Sequence, residues 1–429
     1  MAQLTDRVDG DITLLLRGPR AEAVGRAVLD IAGRPPHRRI GESARRLEDR
    51  ERTPAVFAGA AYPRLVGRAG AVTILASDDG DVLLRWSHVA GDGWSLQQLV
   101  LTACEQVGAV PQGTWCDCAG WLAPDRRDGP TSLAAAARAM RGTPGLRRSL
   151  WTATRAAVGP VLGGSAPARP ARRDGAGGTD GDVVVLAELP ELPEPPEPAA
   201  GTAPGTARVS TFSRRSVQVL DWLGRTGLVA PGRHGLTVGV AVNLRLHEPA
   251  LADAPAGNLS AVGFLTARYS DGVTDLAAFD AELRRLVRRR FWRYLAVFDR
   301  MFSALPADVV RRLTRALLGA PPPCTLSVTE GWSESSRPCP GCGARSRPTP
   351  DDLDVILVPS AVAGGGGIAG LSRRRGSTVV AVRLTGISWA DVEAALRQAE
   401  SWQEPSPKVI GAGPTILATE RREAARAGA

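Results

Sequence analysis

The sequence predicts an α/β protein built from two parts, and three observations support that prediction. The chain has 429 residues, which is more than one ordinary hydrophobic core accommodates. Strand-like and helix-like segments follow one another on both sides of the middle. Between them, residues 163–206 are rich in proline and glycine, which is typical of a crossover linker. We therefore expect subdomains at 1–162 and 207–429, joined by this linker.

The N-terminal part predicts a sheet with helices. Its elements are a strand at 11–17, a helix at 21–33, strands at 71–79 and 81–89, a helix from Trp94 and helical spacing over 131–162. The acidic turn Asp78-Asp79-Gly80 predicts that the two later strands form a hairpin. This hairpin leads directly to His88.

The C-terminal part predicts a second set of strands and helices. Its elements are helices at 210–227, 275–302 and 388–402 and strands at 235–246, 324–332, 353–362 and 377–386. The run VVVLAEL (183–189) lies inside the linker and is compatible with a strand of either part. The glycine run at 363–370 lacks the spacing of a phosphate-binding loop and predicts a flexible loop.

The composition and charge of the chain limit its expected cellular location and the kinds of partner that it is expected to bind. The net charge is +9, and Lys408 is the only lysine among the basic residues. This charge suits an acidic carrier protein or a phosphorylated cofactor. We expect no nucleic-acid partner, because no nucleic-acid-binding motif accompanies the charge. The acidic N-terminus and the lack of a long apolar run predict a cytoplasmic protein with no transmembrane segment.

The most informative motif is HVAGDG, residues 88–93. His88 ends a predicted strand, and Asp92 and Gly93 precede a predicted helix. A histidine held at such a junction can serve as a general base, with the carboxylate bracing the turn. Taken alone, a histidine at a strand end is more often structural.

Three motifs, in this order along the chain, resemble those of the condensation-domain-like acyltransferases, the superfamily of chloramphenicol acetyltransferase. The motifs are His-x-x-x-Asp-Gly at 88–93, Asn-Leu-Arg at 243–245 with Gly257-Asn258 downstream, and TLSVTEGW at 325–332. The resemblance implies two chloramphenicol-acetyltransferase-like mixed-sheet subdomains with a tunnel between them. It also implies acyl transfer from a CoA or carrier-protein thioester to a small-molecule alcohol or amine, in secondary metabolism or lipid conjugation. No tightly bound cofactor is implied, and acyl-CoA or a phosphopantetheine thioester is the co-substrate.

The resemblance also implies roles for individual residues. His88 is expected to be the general base, Asp92 to pair with Arg245, and Gly93 to allow the close turn before the helix. A hydroxyl near the tunnel is expected to stabilise the oxyanion, and Ser327 and Thr329 are the candidates.

Two departures from the family pattern limit the assignment. Ser87 stands where peptide-forming condensation domains commonly carry a first histidine, and the Asp-Phe-Gly-Trp-Gly motif of the BAHD enzymes is absent. We therefore assign no subfamily. The alternative function is a non-catalytic condensation-like docking domain that binds a carrier-bound intermediate.

Two further features leave alternatives open. Four cysteines form close pairs that predict free thiols or, as the alternative, a structural zinc site; they are Cys116, Cys118, Cys339 and Cys342. The basic run at 284–294 predicts a solvated helix face with Leu286 turned to the core, or a docking surface for an acidic carrier protein.

Overall fold

The structure is a computed structural model, and all structural statements below concern the residues that it describes. These are 11–34, 52–53, 64–69, 72–77, 80–87, 91–109, 182–192, 209–229, 231, 235–244, 247, 260–290, 292, 326–330, 352–359, 366–374, 377–385, 387–400, 402, 406–414 and 416–417. Two large sheets dominate them, one of five strands and one of seven.

The five-stranded sheet has antiparallel neighbours throughout, in the order β12-β1-β5-β4-β3. Its strands are β1 (Asp11–Arg17), β3 (Arg64–Ala69), β4 (Val72–Ala76), β5 (Val82–Ser87) and β12 (Asp354–Val358). The predicted hairpin is confirmed, because Ala76 pairs with Val82 in register. Gly80 supplies the positive φ of +82° that this tight turn needs.

Two helices cover one face of this sheet, α1 (Ala21–Gly33) and α2 (Gly93–Gln106). Strand alternation sends Leu84 and Trp86 of β5 toward them, into a cluster that also holds Val28 and Leu99. Both helices were predicted from apolar residues at helical spacing, and both are confirmed.

The seven-stranded sheet is mixed, in the order β15-β6-β14-β13-β11-β7-β8. Its strands are β6 (Asp182–Leu189), β7 (Leu236–Asn243), β8 (Ser260–Ala267), β11 (Leu326–Glu330), β13 (Gly366–Arg374), β14 (Ser377–Thr385) and β15 (Lys408–Pro414). Strand β11 runs parallel to both of its neighbours, and the other pairs are antiparallel. The run VVVLAEL, which the sequence left open, is β6 of this sheet.

Three helices pack against one face of the seven-stranded sheet, α3 (Thr211–Arg225), α4 (Leu276–Arg288) and α5 (Trp389–Glu400). Trp222 of α3 and Phe279 of α4 are the largest fully buried side chains among the described residues of this core. Each helix begins at a side-chain cap, and the oxygens of Ser210, Asp275 and Ser388 accept backbone N–H groups of the first turns. The short ladders are β2 (Arg52–Thr53) with β16 (Ile416–Leu417), and β9 (Tyr269–Ser270) with β10 (Val273–Thr274).

The faces of the two sheets that the helices leave uncovered pack against each other. Leu15 and Leu83 of the first sheet lie in one cluster with Val379 and Ala381 of the second. Full burial of each leucine stabilises the fold by about 1.5–3 kcal/mol relative to exposure. No helix in the described part of the chain is long and apolar enough to cross a membrane.

Strand β12 connects the two sheets, because it belongs to the first sheet and lies against β13 of the second. The Leu357 amide donates to Ser372 Oγ at 2.9 Å, in a buried position. A Cβ on Gly370 would lie 2.9 Å from the Leu357 carbonyl oxygen, so only glycine fits at this approach. The flexible loop predicted at 363–370 is therefore wrong for residues 366–370, which are the first part of β13.

We expect the Ser372 hydroxyl to contribute measurably to the stability of the protein. We expect Ser372→Ala to lower the free energy of unfolding by about 1–3 kcal/mol, because the buried Leu357 N–H loses its acceptor. Denaturant unfolding measures the change. Ser270→Ala, at an exposed position of β9, is the control and should alter stability by no more than about 0.5 kcal/mol. Equal effects of the two substitutions would contradict the prediction.

Candidate active site

The predicted strand-to-helix junction is present around the HVAGDG motif. Strand β5 ends at Ser87, and helix α2 begins at Gly93 with Asp92 as its N-cap residue. His88 lies between these elements, outside the described residues, so its role stays a prediction. On β5, Leu83 faces the second sheet while Leu84 faces the helices. Side chains alternate between the two faces of a strand, so the half-buried Arg85 lies on the face of β5 that is turned toward the second sheet.

Asp92 fixes the helix end of the junction. Its side chain is 2% exposed. Its Oδ1 accepts the Ser95 amide at 3.0 Å and the Ser95 hydroxyl at 2.9 Å. The carboxylate thus satisfies a backbone N–H in the first turn of α2. The ion pair with Arg245 stays a prediction, because Arg245 lies beyond the part of the chain that the structure describes.

Trp86 fixes the strand end of the junction. Its side chain is 4% exposed, and its indole Nε1 donates to the Gly91 carbonyl at 3.2 Å. A Cβ on Gly91 would lie 2.9 Å from the Ser95 Cβ and 3.2 Å from the Trp86 ring, which leaves room for hydrogen only. A Cβ on Gly93 would meet no described atom within 4 Å. The close turn that we expected Gly93 to allow stays a prediction, and among the described residues packing requires glycine at Gly91.

Two strands of the seven-stranded sheet carry candidate residues. Strand β7 ends at Asn243, the first residue of the Asn-Leu-Arg motif, which is half-buried. Strand β11 carries Ser327 and Thr329 and lies between β7 and β13. Thr329 alternates with Val328, whose side chain is buried on the helix-covered face, so Thr329 lies on the face toward the first sheet. The structure does not test an oxyanion role for either hydroxyl.

The basic helix α4 is confirmed over Leu276–Arg288. Leu283, Leu286 and Val287 pack against the core of the second half. The carboxylate of Asp280 accepts from Arg284 Nε at 2.6 Å. Burial alone would raise the pKa of Asp280, but hydrogen bonds from Ser213, Arg284 and Ser210 hold it below its usual value. Arg288 and Arg289, at the end of the helix, are exposed.

Metal ligation remains untested. The cysteines at 116, 118, 339 and 342 all lie outside the described residues, and the zinc alternative stays a prediction. Among the residues that are described, no group of histidine, cysteine and acidic side chains could hold a metal ion. Cys104 lies in the core, where desolvation raises the pKa of its thiol to about 12. A thiol with that pKa remains protonated and unreactive at neutral pH.

Sequence reasoning missed three residues of the junction: Trp86, Gly91 and Ser95. The serine could have been found, because an acidic N-cap residue commonly accepts the amide of the third residue that follows it. The contact between Trp86 and Gly91 depends on how the chain returns from the strand to the helix, and no local pattern encodes that path.

Comparison with known proteins gives similarity in structure alone. No protein-family model matches the chain, and no curated protein matches its sequence. TRI101 of F. sporotrichioides, complexed with coenzyme A and T-2, has 13% identity over 96% of this chain and 98% of its own, with a TM-score of 0.50. TRI101 of F. graminearum, complexed with ethyl coenzyme A, has 12% identity, the same shares of 96% and 98%, and a TM-score of 0.45. Polyketide synthase associated protein 5 from Mycobacterium tuberculosis has 15% identity, with shares of 92% and 94% and a TM-score of 0.43.

At such low identity, the match to TRI101 of F. sporotrichioides concerns the fold, and it spans nearly the full length of both chains. The five-stranded and seven-stranded sheets agree with the architecture that the motifs of the sequence imply. The chain therefore has a two-sheet α/β fold similar to that of TRI101, in agreement with the chloramphenicol-acetyltransferase-like fold that the His-x-x-x-Asp-Gly and Asn-Leu-Arg motifs predict.

Proposed function

We propose that this protein is an acyltransferase that moves an acyl group from a CoA or carrier-protein thioester to a hydroxyl or amine. The observation that carries the proposal is the junction at the motif, where β5 ends at Ser87 and the buried Asp92 caps α2. The superfamily fold supports it, and TRI101, a protein of similar structure, binds coenzyme A.

In this proposal His88 is the general base. An imidazole whose pKa is that of free histidine, ~6.5, is mostly neutral at pH 7 and can accept a proton from the attacking hydroxyl or amine. The nucleophile then adds to the thioester carbonyl. This addition forms the C–O or C–N bond and gives a tetrahedral intermediate. Collapse of the intermediate breaks the C–S bond, and the imidazolium returns the proton to the leaving thiolate. The reaction needs no acyl-enzyme and no tightly bound cofactor.

Residues from both halves support this chemistry in the proposal. Asp92 caps α2 and pairs with Arg245, so that the second half stabilises the turn that carries His88. A hydroxyl from Ser327 or Thr329 donates to the oxyanion, because β11 lies in the seven-stranded sheet whose uncovered face packs on the first sheet. The acceptor is a small alcohol or amine that enters between the sheets.

The exposed arginines at the end of α4 suit an anionic donor. Arg284 and Arg285 lie next to acidic partners on the same helix, Asp280 and Glu282. Arg288 and Arg289 extend this basic surface into solvent. We propose that an acidic acyl carrier protein docks here, through long-range attraction that salt weakens.

Removal of the proposed base tests the function directly. We expect His88→Ala to lower kcat by about 10²–10⁴, the usual contribution of a general base, while thermal unfolding stays close to wild type. Acyl transfer from a panel of CoA and carrier thioesters is followed by intact mass. His37→Ala is the control and should retain turnover. A kcat near wild type for His88→Ala would exclude the catalytic role and favour the docking function.

Two substitutions at Asp92 separate the helix cap from the charge. Asp92→Ala removes the acceptor of Ser95 and should cost about 0.5–2 kcal/mol of stability. Asp92→Asn keeps an acceptor oxygen at the cap and removes only the charge that Arg245 would bind. We expect Asp92→Asn to lower kcat by at least about tenfold, about 1.4 kcal/mol of activation free energy, in protein that remains folded. Wild-type turnover in Asp92→Asn would refute the proposed ion pair.

Charge reversal tests the carrier surface. We expect Arg288→Glu with Arg289→Glu to raise KM for an acyl carrier protein and to leave KM for acyl-CoA nearly unchanged, because only the protein donor covers the helix end. Steady-state kinetics at low and high salt measure both constants. Arg26→Glu with Arg397→Glu changes the net charge equally at exposed positions of α1 and α5. Equal effects of both pairs would show a general charge effect and no docking at α4.

A further inference from the structure

We infer that Trp86 is a positioning residue for the base proposed at position 88, an inference that rests on the proposed function. Trp86 is the residue before the last of β5, and its side chain is buried among the helix-side core of the first sheet. An indole N–H in such a place needs an acceptor, because an unpaired buried donor costs stability. The Gly91 carbonyl supplies that acceptor at 3.2 Å.

The hydrogen bond spans the segment that carries the base. It joins position 86 to position 91, and His88 lies between these two positions in the sequence. Asp92 follows directly and is fixed by its two bonds to Ser95. The described residues on both sides of His88 are thus held by hydrogen bonds, Trp86 on the strand and Asp92 at the start of the helix.

The packing at Gly91 makes this hydrogen bond specific. The glycine lies in contact with both Ser95 and the Trp86 ring, at distances that exclude a Cβ. The carbonyl that accepts from Trp86 therefore has little freedom to move. A base works only within hydrogen-bond reach of the proton that it removes, and a displacement of about 1 Å can cost about 10²-fold in rate. Trp86 holds His88 within that reach without touching the substrate.

Two substitutions separate the effect of the hydrogen bond from the effect of the ring volume. Trp86→Phe removes the N–H and part of the ring. Trp86→benzothienylalanine replaces the N–H by sulfur and keeps the bicyclic shape. Trp222 offers a matched control, because it is 1% exposed in the core of the second half and its Nε1 finds no acceptor among the described residues. The same two replacements at Trp222 alter a buried indole without removing a hydrogen bond to any described residue.

Kinetics on folded protein give the first readout. We expect Trp86→benzothienylalanine to lower kcat by at least about tenfold in protein that remains folded, with KM for the thioester close to that of the Trp222 control. The midpoint of thermal unfolding falls relative to that control, because the Gly91 carbonyl loses its donor. A role in packing alone would lower the unfolding midpoint and leave kcat of the folded protein unchanged. A kcat equal to that of the control would overturn the inference.

Histidine NMR gives a readout that needs no turnover. The chain has 4 histidines, and His88→Ala assigns the Cε1–H resonance of His88. We expect the isosteric replacement at Trp86 to shift that resonance, while the replacement at Trp222 leaves it in place. An unchanged His88 resonance would overturn the inference by itself. If His88→Ala retains full turnover, the proposed function fails, whereas loss of turnover in His88→Ala with normal kcat in the Trp86 variants refutes only the positioning role.

Discussion

Each large sheet has one face covered by helices, and the two remaining faces pack against each other; the rest of the structure depends on this arrangement. Alternation along a strand then decides where each side chain goes. On β5, Leu84 and Trp86 enter the helix-side core and Leu83 enters the contact between the sheets. A chemical group reaches the space between the sheets only from the inner positions of a strand or from a loop at its end. Arg85 and Thr329 occupy such inner positions, and the HVAGDG segment follows the end of β5 in the sequence.

The parts of the fold that local patterns encode could be predicted from the sequence. The hairpin of β4 and β5, the helices α1 and α2 and the start of α5 all follow from apolar spacing, a turn glycine or a capping side chain. The glycines of β13 gave the wrong prediction because the reason for them is tertiary. Position 370 requires a glycine because the Leu357 backbone of the other sheet lies within contact distance. Sequence spacing carries no information about that approach, nor about the pairing of β12 with β1.

The candidate site, like the fold, has features that local sequence patterns encode and features that only the tertiary structure determines. The motif indicated a histidine after a strand and a carboxylate before a helix, and the described flanks agree with it because a cap and a strand end are local features. Packing requires a glycine at position 91, and the Trp86 indole donates to the Gly91 carbonyl. Both depend on the path of the chain between strand and helix. Residues that share an interaction across a turn are found only when that path is known.

The low identity of 13% to a protein of nearly full-length structural similarity has a physical explanation in these results. The cores depend on alternation and volume, and many aliphatic sequences satisfy both. The junction is more demanding, because Asp92 is buried and must accept two hydrogen bonds, and the Trp86 N–H is buried and must donate one. A buried donor or acceptor without its partner costs about 1–3 kcal/mol, whereas a change of one aliphatic side chain for another of similar volume usually costs less. Substitution of Asp92 or Trp86 is therefore expected to cost more than an exchange of similar aliphatic residues in either sheet.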